Sequence, residues 1–323
     1  MQAPAPGAPL PVPDHALRGP RGRSHWVRHL FNSRPVFQGL AAGCARLPLP
    51  MLHAMSTVGN TIAIATMPKT RAGLARNFEN ALGTSPRRSR ALARRVFYEY
   101  GLTTIDLFRT RVGGPDRIPP IGAHERDDRV LRPFAESGKG GILVTGHCGN
   151  WELGAIFLAC HGFSVAAMGQ PEPDPEIQEL RAEIRDRFGI GWIEIGSSTS
   201  TAFRVREAVD RGTFVGLVAD RSYPNDAVTV ELFGRPTPFL RSPSRLARLC
   251  DCPLLPCYLF RNRDGSYRSH FADPVEIDRS LPEDEGDRRA MAAVARVLER
   301  ALREEPTQWY NFFDYWSEGM ARA

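Results

Sequence analysis

In the second half of the chain, short apolar runs of strand length alternate with longer runs of helical length. The run Ile142–Thr145 is apolar and bounded by glycines, which is typical of a buried strand, and Trp151–His161 has the length of a helix. The same alternation predicts further strands at Ser164–Met168, Trp192–Ile195, Phe214–Ala219, Val228–Phe233 and Leu254–Phe260, and a further extended piece at Tyr267–Ile277. Further helices are predicted at Pro175–Phe188, Thr201–Arg211, Ser242–Cys250 and Glu285–Glu304. This order predicts an α/β fold with a largely parallel central sheet flanked by helices.

The first third of the chain has a different pattern. From Pro35 to Arg111 the apolar positions follow a helical period, so we expect an N-terminal helical extension. The basic, proline-rich residues 1–34 are predicted to be disordered. Residues 35–112 are predicted to form a helical region, in one interpretation at a membrane interface, and residues 113–323 to form the α/β domain.

The segment Leu47–Met67 carries no charged residue, but prolines and polar residues interrupt it. A membrane-spanning helix needs about 20 predominantly apolar residues, so no transmembrane helix is predicted here. Two interpretations stay open. The segment forms a buried or surface-packed pair of helices, or it forms a helix that lies in the membrane interface. The basic residues that precede it include Arg23, Arg28, Arg34 and Arg46.

The chain is mildly basic, with a net charge of +6. Lys69 and Lys139 are the only lysines among its 42 basic residues, so an isolated arginine is weak support for a phosphate site. A basic surface suits an anionic membrane, an acidic carrier protein or a nucleic acid, and charge alone does not choose among them. The six cysteines lack the spacing of a zinc site, so we expect reduced thiols and no metal.

The run from His147 to Glu152 lies where a predicted strand turns into a predicted helix. A histidine in the turn, with a carboxylate in the first helical turn that folds back toward it, predicts a general base and its orienting partner. Behind Gly149 and Asn150, the N–H groups of the helix N-terminus could hold an anionic group. Such a base can remove a proton from an alcohol that then attacks an acyl group, so the motif indicates acyl transfer.

The segment Gly146–Glu152 reads Gly-His-Cys-Gly-Asn-Trp-Glu and resembles the signature of the bacterial lipid A biosynthesis acyltransferases. These lauroyl and myristoyl transferases belong to the wider lysophospholipid and glycerol-phosphate acyltransferase superfamily. Further blocks resemble the family in the same order along the chain. They are Arg71 with Asn77, Gly216–Arg221, Leu232–Thr237, Leu246–Ala247, Leu255–Pro256 and Pro306–Trp316. The resemblance therefore covers most of the chain.

The resemblance implies roles for individual residues. His147 would be the general base and Glu152 its partner, in a catalytic domain over residues 113–323. The substrate-binding residues that it implies are Asn150, Asp220, Arg221, Gly234 and Arg235. The Asp-Arg pair is expected near the acceptor, and the Gly-Arg pair near the acyl carbonyl or a phosphate. Both pairs and the histidine follow predicted strands, so we expect them to share one edge of the sheet.

The implied reaction moves a fatty acyl group from the thioester of acyl carrier protein or coenzyme A to a hydroxyl of a lipid or glycolipid similar to a lipid A precursor. No cofactor beyond the acyl donor, no metal, no covalent enzyme intermediate and no nucleic acid partner is expected. The implied location is the cytoplasmic face of the bacterial inner membrane, held peripherally on an anionic lipid surface. Arg221 stands where this family often has glutamine, and Cys148 where an aliphatic residue is usual, so the acceptor stays open.

Three other interpretations remain. Cys148 would be the nucleophile of a thiol hydrolase or ping-pong transferase, although its neighbour His147 would tend to point away from it. Gly146, Gly149 and Gly154 loosely resemble a nucleotide-binding turn, but the bulky residue Trp151 fills that turn. The third interpretation is a non-catalytic lipid-binding protein that kept the fold.

Overall fold

A seven-stranded sheet forms the centre of the protein in a computed structural model that describes residues 34–122, 125–172, 174–195, 198–223 and 225–318. The strands, including two of a separate hairpin, are β1 Ile121–Gly122, β2 Ile142–Thr145, β3 Val165–Gly169, β4 Gly191–Glu194, β5 Phe214–Val218, β6 Ala227–Leu232, β7 Arg235–Leu240, β8 Leu254–Arg261 and β9 Tyr267–Phe271. The order across the sheet is β1-β9-β8-β2-β5-β3-β4, and every neighbouring pair is parallel except β8 with β9. The predicted fold class is therefore confirmed.

Helices cover both faces of the sheet, and a helical region precedes it. The helices are α1 Arg34–Arg46, α2 Leu49–Thr66, α3 Pro68–Leu82, α4 Pro86–Gly113, α5 Glu125–Glu136, α6 Trp151–Cys160, α7 Pro175–Arg187, α8 Ser198–Asp210, α9 Ser242–Cys250, α10 Glu283–Glu304 and α11 Tyr315–Glu318. Helices α5, α6 and α7 pack on one face, and α8, α9 and α10 on the other.

Strand β2 is buried on both faces, which explains its unbroken apolar sequence. Ile142 and Val144 pack on the side of α8–α10, whereas Leu143 packs on the side of α6. Strands β2 and β5 are parallel neighbours, with Thr145 opposite Val218. The loops that follow these two strands therefore begin side by side, at the edge where sites form in such sheets.

The N-terminal helices α1–α4 pack on one another, and α3 and α4 contact the C-terminal segment. The uncharged segment Leu47–Met67 forms one helix, α2, rather than a pair of helices. None of the helices in the described part of the chain combines the length and apolar character needed to span a bilayer. Residues 1–33 lie outside the described residues, so the disorder predicted there stays a prediction.

Strands β6 and β7 form a separate antiparallel hairpin, of which the sequence pattern predicted only the first strand. The missed strand β7 carries Pro236 and Pro238, which cannot donate hydrogen bonds to a neighbouring strand. Phe233 and Gly234 between the strands both have positive φ, 53° and 72°, as the tightest hairpin turns require. Strand β6 is therefore not part of the central sheet.

Candidate active site

His147 lies in the turn after β2 and is bonded to a carboxylate from the turn after β5. Its Nδ1 is 2.6 Å from Oδ1 of Asp220, and its backbone N–H donates to the same oxygen at 2.9 Å. His147 lies just beyond Thr145 at the end of β2, and Asp220 lies just beyond Val218 at the end of β5. Thr145 and Val218 are opposite each other in this parallel pair of strands. This register explains why two residues 73 positions apart meet.

Asp220 is fully buried, and its second carboxylate oxygen is also occupied. Oδ2 accepts hydrogen bonds from Trp309 Nε1 and from Asn311 Nδ2, each at 3.0 Å. The hydroxyl of Tyr315 donates to the backbone carbonyl of Asp220. A carboxylate held by so many donors stays in one orientation. Asp220 therefore lies behind His147 and orients its ring, instead of facing the acceptor as the sequence had predicted.

Sequence reasoning missed the role of the three residues that hold Asp220. Trp309, Asn311 and Tyr315 all belong to the closing block Pro306–Trp316, which resembles the family but carried no assigned role. The available signal was a cluster of aromatic and amide side chains near the end of the chain. Linear order does not indicate which carboxylate such a cluster contacts.

Glu152 does not take the position that the sequence predicted. It forms an ion pair with Nη1 of Arg181 on α7, and Nε of that guanidinium is 3.1 Å from Glu172. Among the described residues, the carboxylate on the ring of His147 is that of Asp220. Glu152 in the first turn of α6 contacts α7 rather than the imidazole, and the Nδ1 position is already occupied. The expected partner of His147 is thus corrected from Glu152 to Asp220.

Arg221 lines the cavity together with His147. Its Nε donates to Oδ1 of Asn311 at 2.7 Å, and its Nη2 donates to the carbonyl of Tyr310 at 3.1 Å. The guanidinium carbon lies 5.2 Å from the centroid of the Phe313 ring. These contacts fix a positive charge where it acts on the imidazole.

The surroundings of His147 favour its neutral form. Burial lowers the pKa of His147 and the charge of Arg221 lowers it further, against the opposing effect of Asp220. Burial alone would raise the pKa of Asp220, but His147, Arg221 and Trp309 outweigh burial and hold the pKa of this carboxyl well below its usual range. A neutral imidazole that donates its Nδ1 proton to an ionised carboxylate presents the lone pair of Nε2 as a base.

The pH dependence of the reaction is expected to follow the charge on His147. Only the neutral imidazole accepts a proton, so kcat/KM should fall as the pH drops through the pKa of His147, below about pH 6.5, the ordinary histidine value. Replacing Arg221 by glutamine removes a charge that lowers this pKa, so the fall should move to higher pH. Arg221→Lys keeps the charge and is the matched control. Identical pH profiles of kcat/KM for wild type and Arg221→Gln would contradict this electrostatic account.

The turn between His147 and α6 depends on Gly149. Its φ is 60°, and a Cβ atom there would collide with the carbonyl oxygen of Leu259 on β8. The N–H groups of Gly149 and Asn150 donate to the carbonyls of Gln308 and Leu259, at 2.9 and 2.8 Å. These amides fasten the turn to its neighbours and are not available to hold an anionic group.

Asn150 was predicted to bind substrate, but it lies in the core. Its Oδ1 accepts a hydrogen bond from the N–H of Leu153 at 3.1 Å, which caps the N-terminus of α6. Its Nδ2 donates to the carbonyl of Thr103 on α4, also at 3.1 Å. Asn150 therefore ties the turn to the N-terminal helices and is not among the residues that line the cavity.

Gly234 lies in the turn of the β6–β7 hairpin, and Arg235 is the first residue of β7. The guanidinium carbon of Arg235 is 5.8 Å from the ring centroid of Trp316. Neither residue lines the cavity that contains His147. The expectation that they share an edge with His147 and Asp220 is wrong, because β6 belongs to a separate sheet.

Cys148 is fully buried, and its backbone pairs with that of Trp309. Burial raises the pKa of the Cys148 thiol well above its ordinary value, and the charge of Asp220 raises it further. A buried, protonated thiol is a poor nucleophile. The structure therefore disfavours the thiol hydrolase interpretation.

A cavity of about 1130 Å³ lies between the sheet and helices α6 and α7, with His147 in its wall. The wall includes the ion pairs that join Glu152, Arg181 and Glu172. Many of the other lining residues are small or apolar, among them Ala167, Ile177, Ile184, Trp192, Gly216 and Phe271. In the part of the chain that the structure describes, no cluster of histidine, cysteine and acidic side chains suits a metal ion. The lining suits an elongated ligand with one polar and one apolar part.

A histidine in a cavity wall, paired with a buried aspartate at the carboxyl edge of a parallel sheet, is typical of an α/β enzyme. The arrangement suits general base chemistry on a partly apolar substrate. The model of the family described as bacterial lipid A biosynthesis acyltransferase matches residues 36–318. The chain belongs to this family, which confirms the resemblance seen in its motifs.

Curated relatives carry the name phosphatidylinositol mannoside acyltransferase. The protein from Mycobacterium tuberculosis (strain ATCC 25618 / H37Rv) is 24% identical over 212 residues, which are 64% of this chain and 62% of the relative. The protein from Mycolicibacterium smegmatis is 22% identical over 183 residues, 56% of this chain and 58% of the relative. The chain thus spans about three fifths of the length of the curated relatives that it matches.

A solved structure, the 1-acyl-sn-glycerophosphate acyltransferase PlsC from Thermotoga maritima, is 14% identical to the chain. The match covers 81% of this chain and 99% of that chain, with a TM-score of 0.36. No structural or functional conclusion follows from a TM-score this low.

Proposed function

We propose that this protein is a membrane-associated O-acyltransferase that moves a fatty acyl group from an acyl thioester to a hydroxyl of a lipid or glycolipid. The donor would be acyl carrier protein or coenzyme A. The observation that carries the proposal is the bond between His147 and the buried carboxylate of Asp220, in the wall of a cavity with an apolar part. Membership of the acyltransferase family supports it, as do relatives named for acylation of a glycolipid.

The proposed mechanism is direct transfer. Nε2 of His147 accepts the proton of the acceptor hydroxyl while the hydroxyl oxygen bonds to the thioester carbonyl carbon. Asp220 stabilises the imidazolium that forms, because its ionised carboxylate is already hydrogen-bonded to Nδ1. The carbon–sulfur bond then breaks, and the leaving thiolate takes the proton from the imidazolium, which yields an ester and a free thiol.

Arg221 is the group that we assign to the developing oxyanion. Its side chain lines the same cavity as His147, and its contacts with Asn311 and Tyr310 hold it in place. A positive charge that is already oriented stabilises the negative charge on the thioester oxygen as it forms. The N–H groups of Gly149 and Asn150 are bonded within the protein, so they do not take this role.

Glu152 is assigned to binding of the acceptor. Its side chain is 27% exposed, and it stands in the cavity wall in an ion pair with Arg181. A carboxylate accepts hydrogen bonds from hydroxyl groups, and the ion pair with the neighbouring guanidinium holds it in one orientation. In this role Glu152 positions the acceptor, whereas Asp220 orients the base.

Membrane association would place the enzyme next to its acceptor. Four exposed apolar side chains project from α2, at helical spacing, and they are Met51, Met55, Val58 and Ile62. The neighbouring helix α4 exposes a basic group of residues, which are Arg87, Arg88, Arg90, Arg94 and Arg95. An exposed apolar row and an exposed basic group on two helices that contact each other suit an anionic membrane surface. The proposed location is the cytoplasmic face of the bacterial inner membrane.

Charges placed in the exposed row of α2 should weaken membrane binding. Met55→Glu with Val58→Glu removes two apolar side chains and adds two negative charges, so we expect at least about tenfold weaker binding to vesicles that contain phosphatidylglycerol. Phe203→Glu, at an exposed apolar position on α8, is the matched control. Sedimentation with the vesicles measures the effect, and equal binding of the double variant and wild type would count against this surface.

Lipid mass spectrometry of bacterial cells tests the proposed function. Cells would express wild type, the His147→Ala variant or no protein, with the first two at equal level. A lipid that gains the mass of one acyl group only with wild type is the expected result, and it identifies both the acceptor and the chain. Transfer of labelled acyl groups by purified protein to the extracted lipids supplies the same comparison outside the cell. Absence of any acyl transfer that depends on His147 in both settings would overturn the proposal.

A further inference from the structure

Four residues form a straight row across the face of the sheet that carries the cavity. Leu143 on β2 is opposite Gly216 on β5, Gly216 is opposite Ala167 on β3, and Ala167 is opposite Trp192 on β4. Residues directly opposite in a sheet project to the same face, and all four line the cavity. Two small residues thus lie between a leucine and a tryptophan, and they form the floor of a trough.

The space above this floor is open. A Cβ atom built on Gly216 would meet no heavy atom nearer than the carbonyl oxygen of Ala166 at 3.9 Å. The facing helices contribute Phe157 from α6 and Ile177 and Ile184 from α7 to the cavity wall. A trough floored by small residues and walled by apolar side chains fits a hydrocarbon chain better than a polar head group.

Trp192 stands at the end of the trough and is held firmly there. Its ring lies against Gly169, where a Cβ atom would be only 2.9 Å from the ring edge. The guanidinium carbon of Arg185 on α7 is 4.4 Å from the ring centroid, so the ring is also stacked from the helix side. Strand β4 is the last strand of the sheet. The indole therefore forms a fixed wall across the end of the trough.

We propose that the acyl chain lies over Gly216 and Ala167 and that Trp192 sets the longest chain that the enzyme accepts. The inference rests on the proposed function, since it assigns the apolar part of the same cavity. The charged cluster of Glu152, Arg181 and Glu172 occupies another part of the cavity wall, and it suits the polar portion of a substrate. As the length of the bound acyl chain increases, its end reaches the indole of Trp192. A longer acyl chain fits only if the indole is displaced.

The test compares chain-length preference in variants that should shift it in opposite directions. Purified full-length protein receives a series of saturated acyl thioesters, as both coenzyme A and carrier protein conjugates, with lipids extracted from the expression host as acceptors. Trp192→Ala opens the end, so the preferred chain should become about two to four carbons longer, with about a tenfold change in the kcat/KM ratio of long to short donors. Ala167→Leu fills the floor, and the same ratio should change in the opposite sense.

Two further variants separate the effect of the wall from other effects. Trp192→Phe keeps part of the aromatic wall, so its chain-length preference should shift in the same direction as that of Trp192→Ala, but by less. Phe203→Ala, at the exposed position on the opposite side of the sheet, is the control and should leave the profile unchanged. Thermal unfolding midpoints show that each variant is folded, and opposite shifts in Trp192→Ala and Ala167→Leu cannot come from a general loss of stability.

The outcomes distinguish this inference from the proposed function. If wild type transfers acyl groups and neither Trp192→Ala nor Ala167→Leu changes the chain-length ratio, the inference is overturned and the acyltransferase proposal stands. If wild type transfers no acyl group from any donor of the series, the proposed function fails and the inference fails with it. Opposite shifts of the ratio in the two variants support the inference.

Discussion

His147→Ala is expected to lower kcat for acyl transfer about 10²–10⁴-fold, the usual contribution of a positioned general base. The acceptor hydroxyl would then lose its proton to water, and no nearby group would hold that proton until the thiolate leaves. The fold should remain, because the imidazole is at the cavity wall, and the backbone N–H of residue 147 still bonds to Asp220. Initial rates at saturating donor and acceptor measure the effect.

The matched control for this variant is His270→Ala. His270 is an exposed histidine on β9 and does not line the cavity. It should keep the activity of wild type. A His147→Ala protein with a normal unfolding midpoint and more than half of the wild-type kcat would show that the imidazole is not the base.

Asp220→Asn is expected to lower kcat about 10³–10⁴-fold, the magnitude seen where the carboxylate of a histidine pair is replaced by its amide. The amide keeps the size of the side chain, but it removes the charge that stabilises the imidazolium and permits the wrong ring tautomer. The effect should fall on kcat, because the buried carboxylate does not touch substrate. Steady-state kinetics with separate variation of donor and acceptor separates kcat from KM.

Glu152→Gln is the variant to compare with Asp220→Asn, because it changes the other candidate carboxylate. Glu152 pairs with Arg181 in the cavity wall, so its replacement should raise the KM for the acceptor more than it lowers kcat. If Glu152→Gln caused the larger loss of kcat and Asp220→Asn only a small one, Glu152 would be the partner of the base after all. The side-by-side comparison therefore decides between the two carboxylates.

The sequence was sufficient to find the strand, the turn and the base. The run Ile142–Thr145 is buried on both faces, so its apolar pattern is unbroken, and the observed strand has the same bounds. The following helix begins at Trp151, as predicted. Gly149 in the turn has positive φ, a conformation that glycine adopts more readily than other residues. Local physical constraints of this kind leave a clear pattern in the sequence.

The partner of the base was not predictable from local pattern. Glu152 is five positions from His147 and Asp220 is 73 positions away, so proximity along the chain favoured the wrong carboxylate. What joins Asp220 to His147 is the order of the strands, with β5 next to β2 although β3 and β4 intervene in sequence. The donors that hold Asp220 come from still farther along, at Trp309 and Asn311.

The β6–β7 hairpin was also only partly predictable from the sequence pattern. Strand β6 has the alternating burial of a strand and was predicted, but period alone does not show which sheet a strand joins. Its partner β7 contains Pro236 and Pro238, which removed the usual strand signal. Gly234 and Arg235 were therefore placed at the edge of the central sheet, although Gly234 lies in the turn of a separate hairpin and Arg235 begins its second strand.

The nitrogen-15 NMR spectrum of the imidazole of His147 tests most directly which carboxylate orients the base. The resonances would be assigned by their absence from His147→Ala. At neutral pH we expect a neutral ring with its proton on Nδ1, a pattern that Asp220→Asn disturbs and Glu152→Gln leaves unchanged. A tautomer that is lost in Glu152→Gln and kept in Asp220→Asn would contradict the assignment of Asp220 as the partner of His147.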